Sequence, residues 1–431
     1  MSTVMRRPQP LITLGHRGRS ASSQPISSLM SLALANPATI SLAAGFVDNA
    51  TLPVEELGTI SGELFADPRA AREALQYGTV VGDEDLRRGI AHRYFAVQPE
   101  RHAERMILTA GSNQFLQLAS ECLLDPGDIV LCASPTYFVY LNILRDLGAR
   151  ARGVGTDAEG MIPDELEGAL RHLATAGELA RVKAVYLVPD FDNPAATTMS
   201  LERRKQILQV LENWRDRATI LLIVDNAYRE LRFEGEDIPS LSDLGADPER
   251  TVESGTFSKN LAPGLRVGWG VTPEPLYTAM TRRKGIIDFG SPHLNQRLVA
   301  GILNSGMLDE HLRRLREAYR AKRDAMIAAC DEYLRPIAGV AYDVPAGGLY
   351  VWLTLPEGCA AGPDGELWKQ ALDKGVLYVP GQYCYPEEGD RVATNTARLT
   401  FGVQPPERLR EGIRLLAEAI RTSGTRGNPE P

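Results

Sequence analysis

Along the first three quarters of the chain, apolar runs of strand length alternate with segments of helical period. The runs are "RMILTA", "DIVLCA", "VKAVYLV", "TILLIVD", "RTVESGT" and "RVGWGVT". This alternation predicts an α/β domain with a largely parallel sheet flanked by helices. The clearest helix is "LERRKQILQVLENWRDR", where 3- and 4-residue spacings put Leu201, Ile207, Leu208, Leu211 and Trp214 on one face. After about residue 305 the pattern changes to a long charged helix, Leu308 to Leu334. It is followed by "GVAYDVPAGGLYVWLTL", "VLYVPG", "ARLTFG" and a last helix, "PERLREGIRLLAEAI". These predict a smaller α+β unit. The expected division is an N-terminal arm and part of the smaller unit over 1–44, the larger domain over 45–305 and the smaller over 306–422. The tail "TSGTRGNPEP" has the polar, glycine-proline composition of a disordered end, expected over 423–431.

Composition narrows the partners. The 431 residues exceed what one ordinary core holds, and 44% hydrophobic with 24% charged residues suits a soluble globular protein. A net charge of -8 argues against nucleic acid and anionic membrane, which leaves a small-molecule partner. The longest aliphatic run, "ILLIV" at Ile220 to Val224, falls far short of the roughly 20 residues of a membrane span. Five scattered cysteines, with no C-x-x-C and no histidine at ligand spacing, suggest neither disulfides nor zinc and fit the reducing cytoplasm. No acidic residue precedes Asp48, whereas Arg6, Arg7, Arg17 and Arg19 do. That composition suits either a transit peptide or a mobile arm lying on an acidic body.

The polar residues that carry chemistry gather at the C-terminal ends of predicted strands, where open α/β sheets bind ligands. In "TAGSNQ", Gly111, Ser112 and Asn113 open a helix with free backbone N–H groups, an anion seat; the alternative is an ordinary cap by Ser112. Tyr137, in "SPTYF", either joins the core or stacks on a flat ring. Asp225 follows five aliphatic residues, with Tyr228 three further on. A carboxylate there needs a cation, unless it caps a helix. "VPDFDNP" carries Asp190, Asp192 and Asn193, but proline follows where a calcium loop needs ligands and glycine, so no metal is expected. In "SGTFSKNLAPGLRVGW", Thr256, Ser258 and Arg266 suit a phosphate cage together with Gly111 to Asn113. Lys259 lies among them. Beside cationic Arg266 its ammonium form is disfavoured, which suits a Schiff-base lysine; the alternative is a surface lysine in a loop.

These motifs together resemble those of the fold type I pyridoxal-phosphate enzymes, specifically class I/II aminotransferases. "SLAAGFVDNATLP", "ALQYGTVVGDEDLRRGIA", "TAGSNQ", "SPTYF", "DNP", "VDNAY", "SGTFSKNLAPGLRVGW" and "ARLTFG" occur in the family's order over nearly the whole chain. The segments "PISSLMSLALANPATISLAAG" and "GDEDLRRGIAHRY" are most similar to the 2-aminoadipate and kynurenine type. The resemblance implies a PLP-dependent transaminase that moves the amino group of an α-amino acid to a 2-oxo acid by a ping-pong route. It implies that Lys259 holds pyridoxal 5'-phosphate as an internal aldimine and shuttles the proton, and that Asp225 keeps the pyridine nitrogen protonated. Asn193 and Tyr228 are implied at the ring O3′ and Tyr137 on the ring face. Gly111, Ser112, Asn113, Thr256, Ser258 and Arg266 are implied at the phosphate, with Tyr77 reaching in from the partner of a homodimer with composite sites. Arg398, in "ARLTFG", is implied to clamp the substrate carboxylate with the Gly45 backbone and Asn193.

Two departures bear on the substrate. Ala195 and Ala196 stand where relatives have a hydroxyl residue and glycine, and Asp192 adds a negative charge beside Asn193. Two other functions share the motifs. A lyase or decarboxylase uses the same cofactor, although an arginine that holds the α-carboxylate argues against expelling it. An effector-binding regulator needs a DNA-binding module, and the roughly 40 residues before "SLAAGF" carry no winged-helix pattern.

Overall fold

The computed structural model describes residues 38–424, together with Asn36 and the isolated positions 12, 13, 15 and 18. Apart from those positions, the part of the acid-free N-terminal segment before residue 38 and the tail beyond 424 lie outside the described residues, and the last helix, Pro406–Gly424, runs past Thr422 and Ser423.

Fourteen strands build three sheets among the described residues. Met106–Thr109 (β2), Ile129–Ser134 (β3), Arg150–Asp157 (β4), Gly160–Met161 (β5), Val182–Leu187 (β6), Leu221–Asp225 (β7), Thr251–Thr256 (β8) and Gly268–Val271 (β9) form the large sheet. Its order is β2-β9-β8-β7-β6-β3-β4-β5. All six expected strands are present. The sheet is mixed: β3 is parallel to β4 and β6, β6 to β7 and β7 to β8, while β9 runs antiparallel to β8 and β2 and β5 turns back on β4. The reversal at β9 follows from its connection. "SKNLAPGLR" is too short for a crossover helix, which a parallel return requires, so the chain doubles back.

Both faces of the sheet are covered, which is why β3, β6, β7 and β8 are buried along nearly their whole length rather than alternating. On one side Phe115, Leu116, Tyr140, Tyr186 and Ile223 join a core cluster; on the other Val185, Leu187, Ile207, Trp214 and Val224 join another. The helix Leu201–Asn213 buries Ile207, and Trp214 caps it, but Leu201 is 40% exposed. Ser200 caps this helix through Arg203 N, and in the first turn the inward positions belong to Arg203 and Arg204. Arg204 is fully buried because Asp190 and the carbonyls of Met199, Pro189 and Pro239 receive its N–H groups. Asp190, one of the three polar residues of "VPDFDNP", is thus matched by arginines, Arg232 being the second.

The C-terminal unit is built on Ala341–Tyr342 (β10), Tyr350–Thr354 (β11), Val379–Pro380 (β13) and Thr396–Thr400 (β14), an antiparallel sheet in the order β10-β11-β14-β13. The long charged helix is Met307–Ala329, ending in a π-turn at Cys330–Leu334. Ile40–Ser41 (β1) pairs in parallel with Val376–Leu377 (β12), so the start of the described chain lies against its C-terminal third. Among the described residues no helix is long and apolar enough to cross a membrane.

Candidate active site

The C-terminal ends of β2, β3, β6, β7 and β8 open into one cavity of about 480 Å³, closed on the far side by residues of the C-terminal unit. It brings together Gly45, Gly111, Ser112, Asn113, Tyr137, Asn193, Asp225, Tyr228, Thr256, Ser258, Lys259, Arg266 and Arg398. Every residue expected at the site is there except Tyr77. That side chain is 81% exposed and meets Phe289 edge-on, with ring centroids 5.9 Å apart.

One end of the cavity is built to hold an anion. The helix Ser112–Leu123 begins after Gly111, whose φ of 83° is left-handed and whose position, not that of Ser112, is the N-cap. No side chain caps this end, so the first N–H groups remain open. Around it Thr256 Oγ1 donates to Ser258 Oγ at 2.9 Å, and Arg266, itself at φ 51°, donates through Nη2 to Ala110 O at 2.8 Å. Space is tight. A Cβ on Gly268 would lie 2.4 Å from Gly111 C and Ser112 N, so β9 can pass behind the seat only as bare backbone.

At the end of β7, Asp225 is buried and accepts hydrogen bonds from Tyr186 at 3.0 Å and Ser254 at 3.2 Å. It caps no helix, and both donors are neutral. Burial pushes its carboxyl up to about 6, partly offset by these two bonds. Among the described residues no cation lies beside it, an arrangement that a cationic ligand atom completes.

Lys259 lies between these two ends. Its Nζ donates to Gly45 O at 2.6 Å. Its pKa is lowered chiefly by burial, then by Arg398 and Arg266, with Tyr350 opposing. The sequence pointed to Arg266 as the cause; loss of water on burial is the larger one.

Opposite stands Arg398 on β14, 1% exposed. It donates through Nη1 to Asn193 Oδ1 at 2.8 Å and through Nη2 to Ala43 O at 2.7 Å. Its guanidinium lies 4.3 Å from the Tyr350 ring centroid and 5.4 Å from that of Phe138. Its buried Nε has no hydrogen-bond partner among the described residues. Asn193 also donates to the Tyr228 hydroxyl at 3.4 Å, and Tyr137 donates to Asn113 Oδ1 at 3.2 Å.

The turn that aims Asn193 differs from the sequence expectation in a definite way. Asp192 does not face the cavity; its Oδ1 accepts from Thr197 N at 2.9 Å and Thr197 Oγ1 at 3.0 Å. It locks a turn in which Phe191 and Ala196 both have left-handed φ, 49° and 58°. Burial pushes Asp192 up to about 7. The carboxyl group therefore acts on the loop, through its bonds from Thr197, rather than facing the cavity.

Sequence reasoning missed Tyr350, whose hydroxyl lies 3.1 Å from that of Tyr228, and Phe46, Phe138, Val139, Val188 and Pro263 on the walls. It also missed Tyr186 and Ser254 under Asp225. "GGLYVW" predicts a strand but not which face turns to the site.

Comparison with known proteins agrees with this geometry. The family model described as aminotransferase class I and II matches residues 40–416. The chain is 36% identical over 387 residues to aromatic-amino-acid aminotransferase 1 of Thermococcus litoralis, covering 89% of this chain and 88% of that one. It is 34% identical over 388 residues to the 2-aminoadipate transaminase of Thermus thermophilus, covering 89% and 91%. Among solved structures, kynurenine aminotransferase of Pyrococcus horikoshii, in complex with PMP, superposes with a TM-score of 0.86 at 32% identity, covering 95% of this chain and 97% of that one. The chain belongs to the class I and II aminotransferases and is a pyridoxal-phosphate-dependent transaminase.

Proposed function

We propose that this cavity exchanges the amino group of an α-amino acid bearing an apolar or aromatic side chain with a 2-oxo acid, by a ping-pong route through Lys259. The observation that carries the reading is the geometry: a buried carboxylate with only neutral partners, an open anion seat and a guanidinium with a spare donor, ringed around the amine of Lys259.

The residues present fit pyridoxal phosphate. Gly111, Ser112, Asn113, Thr256, Ser258 and Arg266 would hold its phosphate, Asp225 would pair with its ring nitrogen, Asn193 and Tyr228 would meet the ring hydroxyl, and Tyr137 would cover a ring face. When bound, the cofactor supplies an electron-accepting ring that stabilises the carbanion left at the substrate Cα. Lys259 is the covalent attachment point; a neutral amine is the reactive form, and burial favours it. With the cofactor and a substrate bound, the Lys259 Nζ would be the group placed to hold and move a proton at the substrate Cα. Arg398 receives the α-carboxylate through Nε together with a redirected Nη, and Asn193 holds the guanidinium in plane. Retention of the carboxylate by this buried arginine favours transfer over decarboxylation.

The side-chain class follows from the walls. Among the described residues lining the cavity the only cations are Lys259, Arg266 and Arg398, each with a task already, while Phe46, Phe138, Val139, Val188 and Tyr350 supply apolar surface. The relative named for aromatic amino acids accords with this. In single half-reactions that convert the bound cofactor to its amine form, phenylalanine, tyrosine and leucine are expected to react roughly tenfold or more faster than aspartate, glutamate or 2-aminoadipate. Faster reaction with the acidic donors would overturn the assignment.

The reading includes a larger unit over 45–305, a smaller over 306–422, a cytoplasmic location suited to the five free cysteines, and a homodimer. Exposed Tyr77, Phe289, Ile286 and Leu75 support the dimer, since so much apolar surface marks a face that another chain covers. In it Tyr77 reaches the partner's phosphate. Mixing inactive Tyr77→Ala and Lys259→Ala subunits is expected to restore part of the activity, because one site of each heterodimer is intact. No recovery after verified subunit exchange would mean that the sites are not shared.

A further inference from the structure

Behind the anion seat lies a hydrogen-bonded chain that the reaction itself does not use. Lys284, on the helix Leu276–Ile287, is 0% exposed. Its Nζ donates to Asp288 Oδ1 at 2.8 Å, Asp288 Oδ2 at 2.6 Å and Ser291 Oγ at 3.0 Å. Asp288 Oδ2 also accepts from Gln114 Nε2 at 2.7 Å, and Oδ1 from Gly290 N at 3.0 Å. Gln114 then reaches back with Oε1 to Ala110 N at 2.7 Å. Ala110 is the residue whose carbonyl receives Arg266, and Gly111 follows it. The chain thus ends on the backbone that carries the seat.

Two physical points separate this chain from ordinary packing. A buried lysine paired with one carboxylate is weak evidence for stability, because an apolar pair of similar volume commonly holds a fold as well or better. Its distinctive product is geometry: Asp288 can grip Gln114 in one orientation only while Lys284 and Gly290 occupy its other lone pairs. The second point concerns the helix start. Gln114, in the first turn, satisfies the N–H of Ala110 and so leaves the N–H groups of Ser112 and Asn113 uncommitted. The same bond fixes Ala110 so that its carbonyl holds Arg266 beside Ser258, 3.5 Å from Nη1.

We propose that Lys284, Asp288 and Gln114 are positioning residues for the phosphate seat, holding its backbone donors and Arg266 in the arrangement that recognises a phosphate dianion. The proposal rests on the assignment of this seat to the cofactor phosphate. None of the three side chains lines the cavity, so they act through Ala110 and Arg266.

The test compares affinities of the cofactor-free protein for pyridoxal phosphate and for unphosphorylated pyridoxal, with the rise in Tm produced by inorganic phosphate as a second readout. Three variants serve: Gln114→Met, Lys284→Met, and the double change Lys284→Met with Asp288→Leu, which removes both charges and fills the space. Each is expected to weaken pyridoxal phosphate by about tenfold, the worth of one charge-assisted bond, while pyridoxal changes by less than about twofold and the phosphate-induced rise in Tm shrinks. Lys284→Met leaves an unpaired carboxylate and loses stability as well; the double variant regains stability without regaining phosphate preference. If phosphate preference returns together with stability in the double variant, or if pyridoxal and its phosphate weaken equally in all three, the chain is structural and the proposal fails. A wild-type protein that does not prefer the phosphorylated form overturns the seat assignment itself, and the proposal with it.

Discussion

Lys259→Ala is expected to lower kcat for amino transfer by roughly 10⁴-fold, the upper end of what a positioned proton-transfer group supplies. The fold is expected to survive. Among the described residues Lys259 donates a single hydrogen bond, to Gly45 O, and its ammonium form is disfavoured by burial, so its loss removes little that stabilises. The seat, Asp225 and Arg398 do not depend on it, and the cofactor stays bound without covalent attachment. Steady-state kinetics on a variant with unchanged Tm checks this; activity within tenfold of wild type would show that another group carries the proton.

Arg398→Lys has the second largest effect. A guanidinium-carboxylate pair contributes about 1.5 to 3 kcal/mol, which corresponds to roughly 10- to 200-fold in affinity. Lysine keeps the charge but lacks the planar fork that meets Asn193, Ala43 O and a carboxylate at once. The variant is expected to retain attached cofactor while kcat/KM for α-amino acids falls by that order, with little loss for simple amines. Equal losses for amines and amino acids, together with a lower Tm, would make Arg398 a structural cation. Its environment argues otherwise: it is buried with Asn193 and a carbonyl as its hydrogen-bond partners, two aromatic faces and a spare Nε.

The parts of this site that were legible in the sequence are those fixed by local chemistry. Asp225 is read as functional because ionised carboxylates do not end buried strands without compensation, and Lys259 because hydroxyls, a glycine-proline turn and an arginine surround it. What stayed hidden depends on distant pairing. Tyr350 meets Tyr228 122 residues away in sequence, and nothing in "LYVWL" tells which face of the strand turns inward. Tyr186 and Ser254 look like strand interior until the parallel register of β6, β7 and β8 sets them beside Asp225. Leu201 was expected in the helix core because periodicity weighs hydrophobicity alone. In the fold, Asp190 makes it favourable to turn Arg204 inward at that end instead. Asp192 was read as an added negative charge beside Asn193 that left the substrate side chain open, but the hydrogen bonds it accepts from Thr197 direct it into the turn.

The proposed function requires that one amine, that of Lys259, carries the cofactor in a cavity organised by Asp225, the anion seat and Arg398. Reduction of the purified enzyme, loaded with pyridoxal phosphate, by borohydride, followed by peptide mass spectrometry, tests it most directly. The added cofactor mass is predicted on the peptide containing Lys259, and its loss is predicted in Lys259→Ala. Attachment to Lys183, Lys284 or any other lysine of the wild-type chain would contradict it.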